Sequence, residues 1–92
     1  MKIHVRYTTQ LRMALARSQD EVDLTELSSA RGLLEKLSQR HGKPFDDLVF
    51  QGSGELNPSI LVCVGDKHIG NDPSYSLQDG DQVTLLSIIS GG

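Results

Sequence analysis

The sequence predicts a small α+β domain, a mixed sheet of four to five strands with one main helix packed on one face. Apolar and polar residues alternate at the start of the chain, as they do in a half-buried strand. One later stretch follows the 3.6-residue period of a helix, and short apolar runs of branched residues dominate the second half. Because 92 residues suffice for one modest core, we expect a single domain over residues 1–92.

The first predicted strand is Lys2–Thr8, in which every second residue is apolar. Its inward-facing residues are expected to be Ile3, Val5 and Tyr7. A second strand is expected over Glu21–Leu24, with Val22 and Leu24 inward. The span between them, residues 9–19, has some apolar residues at helical spacing, but we expect it to be mainly a connecting loop.

The main helix is predicted where the apolar period changes. The residues on its apolar face are Ala30, Leu33, Leu34 and Leu37. Ser28 is the expected N-cap, because its hydroxyl can accept an unpaired backbone N–H, and Gly32 is expected to allow a close approach to the sheet. Gly42 and Pro44 predict the end of the helix, since glycine tolerates a left-handed cap and proline cannot continue the helix.

The second half of the chain is predicted to hold short elements separated by turns. In chain order they are a helical turn with Phe45, Leu48 and Val49, a mobile loop at Gly52–Gly54, a buried strand Ile60–Val64, a turn at Gly65–Asp66, a short returning strand Lys67–Ile69, a turn at Asp79–Asp81 and a last strand Val83–Ile89. The whole order is strand, strand, helix, strand, short strand, strand. This layout is the β-grasp, in which the first and last strands lie side by side and parallel because the helix supplies the crossover.

Composition and charge argue against several function classes. Twelve acidic and nine basic residues give a net charge of −3, which opposes binding to nucleic acid or to an anionic membrane. No apolar run is long enough to span a bilayer, and the start of the chain has no signal-peptide pattern. With one cysteine and therefore no internal disulfide, a cytoplasmic location is expected.

The other chemically notable side chains are interpreted as structural. Cys63 lies within an apolar strand and is expected to be a buried small hydrophobe rather than a nucleophile. The three histidines share no ligand spacing with one another or with Cys63, so no metal site is expected. The acidic pairs Asp20–Glu21 and Asp46–Asp47 are expected to be solvated surface.

The end of the chain reads Ser-Ile-Ile-Ser-Gly-Gly over residues 87–92, which we expect to be a flexible tail. Six extended residues reach about 20 Å, so such a tail can enter the active site of another protein. Gly91 and Gly92 lack a Cβ, which lets the backbone pass a narrow channel and leaves the carboxylate sterically open. The alternative is that the glycines are only a frayed end.

Most of the chain resembles the MoaD/ThiS family of ubiquitin-like sulfur carrier proteins, and the ending resembles it most specifically. The resemblance lies in the Asp-Gly-Asp turn of Leu77–Val83, the strand residues Leu85-Leu86 and the terminal Ser90-Gly91-Gly92. Further matches are Val5-Arg6-Tyr7, Leu11-Arg12, Leu33-Leu34, Leu37 and Gly54–Val62. The sequence departs from the family at Thr8, where an aromatic residue is usual, and at Ser87-Ile88-Ile89, where the tail usually reads Pro-Pro-Val. These departures leave the sulfur-transfer pathway open.

The resemblance implies that Gly92 is the reactive terminus and that the protein is a carrier and co-substrate rather than an enzyme. A ubiquitin-activating-like adenylyltransferase would use ATP and Mg²⁺ to adenylylate the Gly92 carboxylate, which then becomes a thiocarboxylate. The acceptor would be the molybdopterin-synthase large subunit or another sulfur-accepting enzyme, and the protein at most the small subunit of such a complex. It would bind no cofactor itself. After His68 the chain has no Lys or Arg, so a partner must supply the basic groups and Mg²⁺.

The expected partner-binding residues lie at the end of the last strand and are Leu86, Ile88, Ile89 and Ser90. If Val83 and Leu85 face the helix, Leu86 and Ile88 lie on the open face of the sheet, where an apolar patch favours docking. The alternative is that Ile88 and Ile89 complete the core. Two other function classes remain open: a ubiquitin-like modifier joined through Gly92 to a target lysine, and a β-grasp interaction module with a passive tail.

Overall fold

The computed structural model describes residues 1–25, 28–52, 54–69 and 74–87, which form one five-stranded mixed sheet and three helices. The elements are β1 Lys2–Tyr7, α1 Thr9–Leu15, β2 Gln19–Asp23, α2 Ala30–His41, α3 Lys43–Val49, β3 Ile60–Val64, β4 Lys67–His68 and β5 Gln82–Ser87. The strand order is β2-β1-β5-β3-β4. The central pair β1 and β5 is parallel and the other neighbours are antiparallel, so the predicted β-grasp arrangement is confirmed.

Strand β1 alternates as predicted, with Ile3, Val5 and Tyr7 buried. Strand β2 begins earlier than expected, and its inward residues are Asp20 and Val22 rather than Val22 and Leu24. The pairing register accounts for this difference, because Val5 lies opposite Asp20 and therefore turns that side chain to the inner face. Leu24 lies after the end of the strand and is only partly buried.

The expectation of a loop between the first two strands is wrong, because residues 9–15 form helix α1. Leu11 is completely buried in the core, and Leu15 packs against the core while partly exposed. A helix of seven residues is marginal by itself, so burial of Leu11 is what stabilises it. The helix ends at Ala16, whose backbone is left-handed with φ of 56°.

Helix α2 buries the four predicted apolar residues, but its N-cap is Ser29 instead of Ser28. The Ser29 hydroxyl accepts a hydrogen bond from the Gly32 N–H at 3.3 Å, whereas the Ser28 hydroxyl donates to the Thr25 carbonyl at 2.6 Å. Gly42 ends the helix as predicted, with φ of 69° and its N–H bonded to a carbonyl of the last turn.

The close approach expected at Gly32 is absent. A Cβ at this position would meet no atom nearer than the Ser28 Cβ at 3.9 Å, which is ordinary van der Waals contact. The helical turn expected after Pro44 is a two-turn helix, α3, with Phe45 and Val49 buried. In the loop expected next, Ser53 lies outside the described residues.

The strands of the second half lie where they were predicted, although β4 is one residue shorter and β5 begins one residue earlier. Ile88 and Ile89 of the predicted last strand lie outside the described residues. Strand β4 covers two residues after a turn at Gly65, which has φ of 59°. The turn at Asp79–Asp81 is joined to β1, because the Gly80 N–H donates to the Lys2 carbonyl at 2.8 Å. Strand β5 ends at Ser87.

A buried carboxylate contradicts the prediction that Asp20 belongs to the solvated surface. The Asp20 side chain is 2% exposed and accepts a hydrogen bond from the Tyr7 hydroxyl at 2.7 Å, while His41 Nε2 lies 2.6 Å from the same oxygen. Arg17 and Arg40 pair with its other oxygen, Arg40 at 3.4 Å. The prediction assumed an isolated carboxylate, which is costly to bury. In the structure, Asp20 is not isolated, because it has partners from β1, from α2 and from the residues preceding β2.

The partners of Asp20 determine its protonation state. Burial by itself would raise the pKa of Asp20, but hydrogen bonds from Tyr7, His41 and Arg17, together with the Arg17 charge, outweigh burial and lower the pKa. Burial and the hydrogen bond to Asp20 raise the pKa of Tyr7. The structure therefore favours an ionised Asp20 beside a neutral Tyr7.

Asp46 also departs from the expected solvated surface, whereas Asp47 is exposed as expected. Asp46 is partly buried and accepts a hydrogen bond from the Ser38 hydroxyl at 2.5 Å. Because Ser38 belongs to α2 and Asp46 to α3, this bond joins the two helices across the bend at Gly42.

Candidate functional site: the open face and the end of β5

Within the described part of the chain, the helices cover one face of the sheet and leave the other, which we call the open face. Strands β3 and β5 contribute apolar side chains to both faces. In β3, Ile60, Val62 and Val64 are buried, whereas Leu61 and Cys63 are partly exposed. In β5, Val83 and Leu85 are buried, whereas Thr84 and Leu86 are partly exposed. The alternation places Leu61, Cys63, Thr84 and Leu86 on the open face.

The pairing register brings these open-face residues together. Leu61 lies opposite Leu86, and Cys63 lies opposite Thr84. Side chains directly opposite on neighbouring strands are in contact range. Leu61, Cys63 and Leu86 therefore form a continuous apolar strip on the uncovered side of the sheet.

The placement of Leu86 confirms the conditional prediction that it faces outward when Val83 and Leu85 face the helix. The predicted burial of Cys63 is wrong, since this residue is partly exposed. Sequence reasoning also missed Leu61, because a continuous apolar run does not indicate which of its residues face the helices. Alternation counted from Leu86 identifies both residues only once the register of the antiparallel pair is known, and the structure supplies that register.

Leu86 is the predicted site residue that lies within the described residues. The other predicted site residues lie outside the described residues and are Ile88, Ile89, Ser90, Gly91 and Gly92. The tail expected over residues 87–92 is likewise described only at Ser87.

The last residues of β5 are held by hydrogen bonds on both sides. The backbone N–H of Thr8 and its hydroxyl both donate to the Leu85 carbonyl, at 3.3 and 3.2 Å. On the other side, Ser87 pairs with Ile60 of β3. Ser87, the last residue of β5, is therefore fixed relative to the apolar strip.

The other half of the open face is polar. Glu21 of β2 lies 3.8 Å from Lys2 and 3.6 Å from His4, both on β1. Further along β1, Arg6 lies between Gln19 and Thr84. Among the described residues, no three His, Cys, Asp or Glu side chains are placed to hold a metal ion. None of the helices in the described part of the chain is long and apolar enough to cross a membrane.

Comparison with known proteins identifies the family. The ThiS family matches residues 5–92, which include every strand after the start of β1 and the two terminal glycines. This chain belongs to the ThiS family. Its resemblance to ubiquitin-like sulfur carriers is thereby confirmed at the level of the family, whose members are small carrier and modifier proteins rather than enzymes.

Individual relatives agree with this assignment. Ubiquitin-related modifier 1 from Schizosaccharomyces pombe is 31% identical over 81 residues, which cover 86% of this chain and 80% of the relative. Urm1 from Trypanosoma brucei is 29% identical, with a TM-score of 0.74 over 99% of this chain and 95% of that one. SAMP1 from Haloferax volcanii has a TM-score of 0.91 at 21% identity, covers 100% of both chains and supports the fold.

Proposed function

We propose that this ThiS-family protein is a sulfur carrier. In this proposal the Gly92 carboxylate is adenylylated by a ubiquitin-activating-like adenylyltransferase and converted to a thiocarboxylate that donates its sulfur to an acceptor enzyme. The observation that carries the proposal is the family match through residue 92, which includes Gly91 and Gly92 after the end of β5.

The chemistry requires an activating partner. An α-carboxyl group has a pKa of about 3.5 and is therefore ionised at pH 7, which makes it a poor acyl donor. Attack of the carboxylate oxygen on the α-phosphorus of ATP releases pyrophosphate and forms an acyl adenylate. A sulfide equivalent then attacks the carbonyl carbon and displaces AMP, leaving the thiocarboxylate. ATP and Mg²⁺ belong to the partner in this scheme, and the protein carries no cofactor of its own.

The geometry of the described residues supports this division of labour. Strand β5 ends at Ser87 beside the apolar strip, and five residues follow it in the sequence. Five extended residues span about 17 Å, enough to enter a partner's active site while the strip contacts the partner's surface. A cytoplasmic pathway of the molybdopterin type is the first acceptor route we propose, with the synthase large subunit as acceptor.

A second candidate function is conjugation of Gly92 to a target lysine. The observation that favours it is the 31% identity to a protein named ubiquitin-related modifier 1. Both candidates share the adenylylation step, and they differ in whether sulfur or a lysine amine attacks the activated carbonyl.

Intact mass spectrometry of the protein from its own cells tests the proposal. We expect a species in which one oxygen is replaced by sulfur, and its loss when Gly92 is deleted. The modifier predicts instead a ladder of heavier conjugates in the lysate that disappears with the same deletion. If neither species forms in the presence of the cognate activating enzyme, ATP and a sulfur source, the sulfur-carrier proposal is wrong.

A further inference from the structure

A shallow groove lies at the end of the open face from which the segment after Ser87 departs. The residues that line it are Arg6, Tyr7, Thr8, Arg12, Ser18, Gln19 and Thr84. We call it the arginine groove after Arg6 of β1 and Arg12 of α1, which are both exposed. It lies beside the apolar strip, since Thr84 pairs with Cys63.

Neither arginine has a carboxylate partner anywhere in residues 1–25, 28–52, 54–69 or 74–87. The neighbours of Arg6 on adjacent strands, Gln19 and Thr84, are uncharged. The two acidic residues that β2 places on this face, Glu21 and Asp23, lie opposite His4 and Lys2, farther along β1 from the groove. The two guanidinium groups therefore form a local positive site on a chain whose net charge is −3.

The carboxylate of Asp20, which follows the groove residue Gln19 along β2, is unavailable to the groove. Asp20 points to the inner face, where it pairs with Arg17 and Arg40. Two like charges that line one groove repel each other weakly. An anion bound in the groove would offset that repulsion and accept hydrogen bonds from the guanidinium groups.

The position of the groove indicates what that anion belongs to. Thr84 lies three residues before Ser87, the last residue of β5. Thr8 donates a hydrogen bond to the Leu85 carbonyl, two residues before the same end of the strand. A protein that takes the segment after Ser87 into its active site must pass close to this end of the sheet. We infer that the arginine groove receives a carboxylate side chain of the activating enzyme while the apolar strip contacts the enzyme's surface.

This inference rests on the proposed function and adds the chemistry of the partner's surface. A guanidinium group matches a carboxylate through two parallel hydrogen bonds, and such charge pairs accelerate association at low salt. Nucleic acid offers phosphate to the same group, but the net charge of −3 and the small number of aromatic residues disfavour it.

The experiment measures complex formation between the full-length protein and its cognate activating enzyme by stopped-flow association over a range of salt concentrations. The test variant is Arg6→Gln with Arg12→Gln. The matched control is Lys36→Gln with Lys43→Gln, which removes the same charge from exposed residues of α2 and α3. We expect association of the arginine variant to be about tenfold slower at low salt and to lose most of its salt dependence.

Two further variants separate charge, geometry and the terminal carboxylate. Arg6→Lys with Arg12→Lys keeps the charge and should keep fast association, but the complex should dissociate faster because bidentate bonding is lost. Deletion of Gly91 and Gly92 should leave the salt dependence of association unchanged, because the groove rather than the tail carries it.

The outcomes are distinct for the two proposals. The inference is overturned if the Arg6→Gln, Arg12→Gln variant associates as fast as the Lys36→Gln, Lys43→Gln control. It is also overturned if the wild type forms no complex. If the wild type binds with the expected salt dependence but releases no pyrophosphate from ATP, the inference stands and the sulfur-carrier function fails. Saturable binding of a labelled single-stranded oligonucleotide at physiological salt that disappears in the arginine variant would overturn the assignment to a carboxylate.

Discussion

The two faces of the sheet use similar side chains for different purposes. On the inner face, Val62 and Leu85 are at most 2% exposed beneath the helices, and burial of each contributes to the stability of the fold. On the open face of the same strands, Leu61 and Leu86 remain partly exposed beside the departure point of the tail. Apolar residues that stay partly exposed in this position contribute less to folding than the buried ones, and the surface they leave exposed can be buried when a partner docks.

The charged residues show the same contrast. On the inner side, Asp20 is surrounded by Tyr7, His41, Arg17 and Arg40 and fixes the packing of β1, β2 and α2. On the open side, the arginine groove has two cations without a carboxylate among the described residues. Residue type alone therefore does not distinguish a structural charge from a binding charge, whereas the presence or absence of partners does.

The largest expected effect is on folding and belongs to the inner face. Leu85→Ala should lower the free energy of unfolding by about 3–4 kcal/mol, because it removes a completely buried side chain and leaves a cavity. Leu86→Ala is the matched control on the neighbouring residue and should cost less than about 1 kcal/mol. Urea denaturation of both variants measures the difference. Equal losses would mean that the open face is as much a part of the core as the inner face.

Asp20→Asn should lower the free energy of unfolding by about 2 kcal/mol, since the pairing with Arg17 and Arg40 is lost while the shape of the side chain is kept. This loss of unfolding free energy is smaller than the loss expected for a fully buried ion pair, because both arginines are half-exposed. Because the pKa of Asp20 is lowered on folding, its contribution is complete above the unfolded pKa of about 3.9 and is lost as the pH falls through the folded value.

Denaturation of the wild type and of Asp20→Asn from pH 7 into the acid range measures this dependence. The wild type should lose stability more steeply than the variant below about pH 4. Glu21→Gln is the control, because it removes an exposed carboxylate from the same strand. Parallel acid profiles for wild type and Asp20→Asn would show that the buried carboxylate does not stabilise the folded protein.

Much of the fold follows from the sequence because alternation in β1 and the 3.6-residue period of α2 each bury one clear set of side chains. Helix α1 was missed because its stability depends on burial of Leu11 in the core, which is a tertiary effect. The burial of Asp20 was missed because most of its partners are distant in sequence. Tyr7 is 13 residues away and His41 is 21 residues away. Of the candidate site, Leu86 was predicted, whereas Leu61 and the arginine groove depend on strand register, which the sequence does not state.

Leu86→Asp tests the function of the open face. A carboxylate in the centre of the apolar strip should weaken binding to the activating enzyme by at least about tenfold, equivalent to about 1.4 kcal/mol, because it must be desolvated on docking. The free energy of unfolding should fall by less than it does in Leu85→Ala, since Leu86 is partly exposed whereas Leu85 is completely buried. Calorimetric titration of the enzyme measures the affinity, with Lys36→Asp on α2 as the control. Unchanged affinity in Leu86→Asp would place the docking surface elsewhere.

The smallest expected effect is a change in the reactivity of Cys63, the single cysteine of the chain. The residue is partly exposed within the apolar strip, so we expect its thiol to react with a maleimide in the folded protein, although more slowly than after denaturation. Addition of the activating enzyme should slow the reaction severalfold, because docking covers the strip, and Leu86→Asp should restore the rate of the free protein. A labelling rate that is the same with and without saturating enzyme would show that the partner approaches from another side of the sheet.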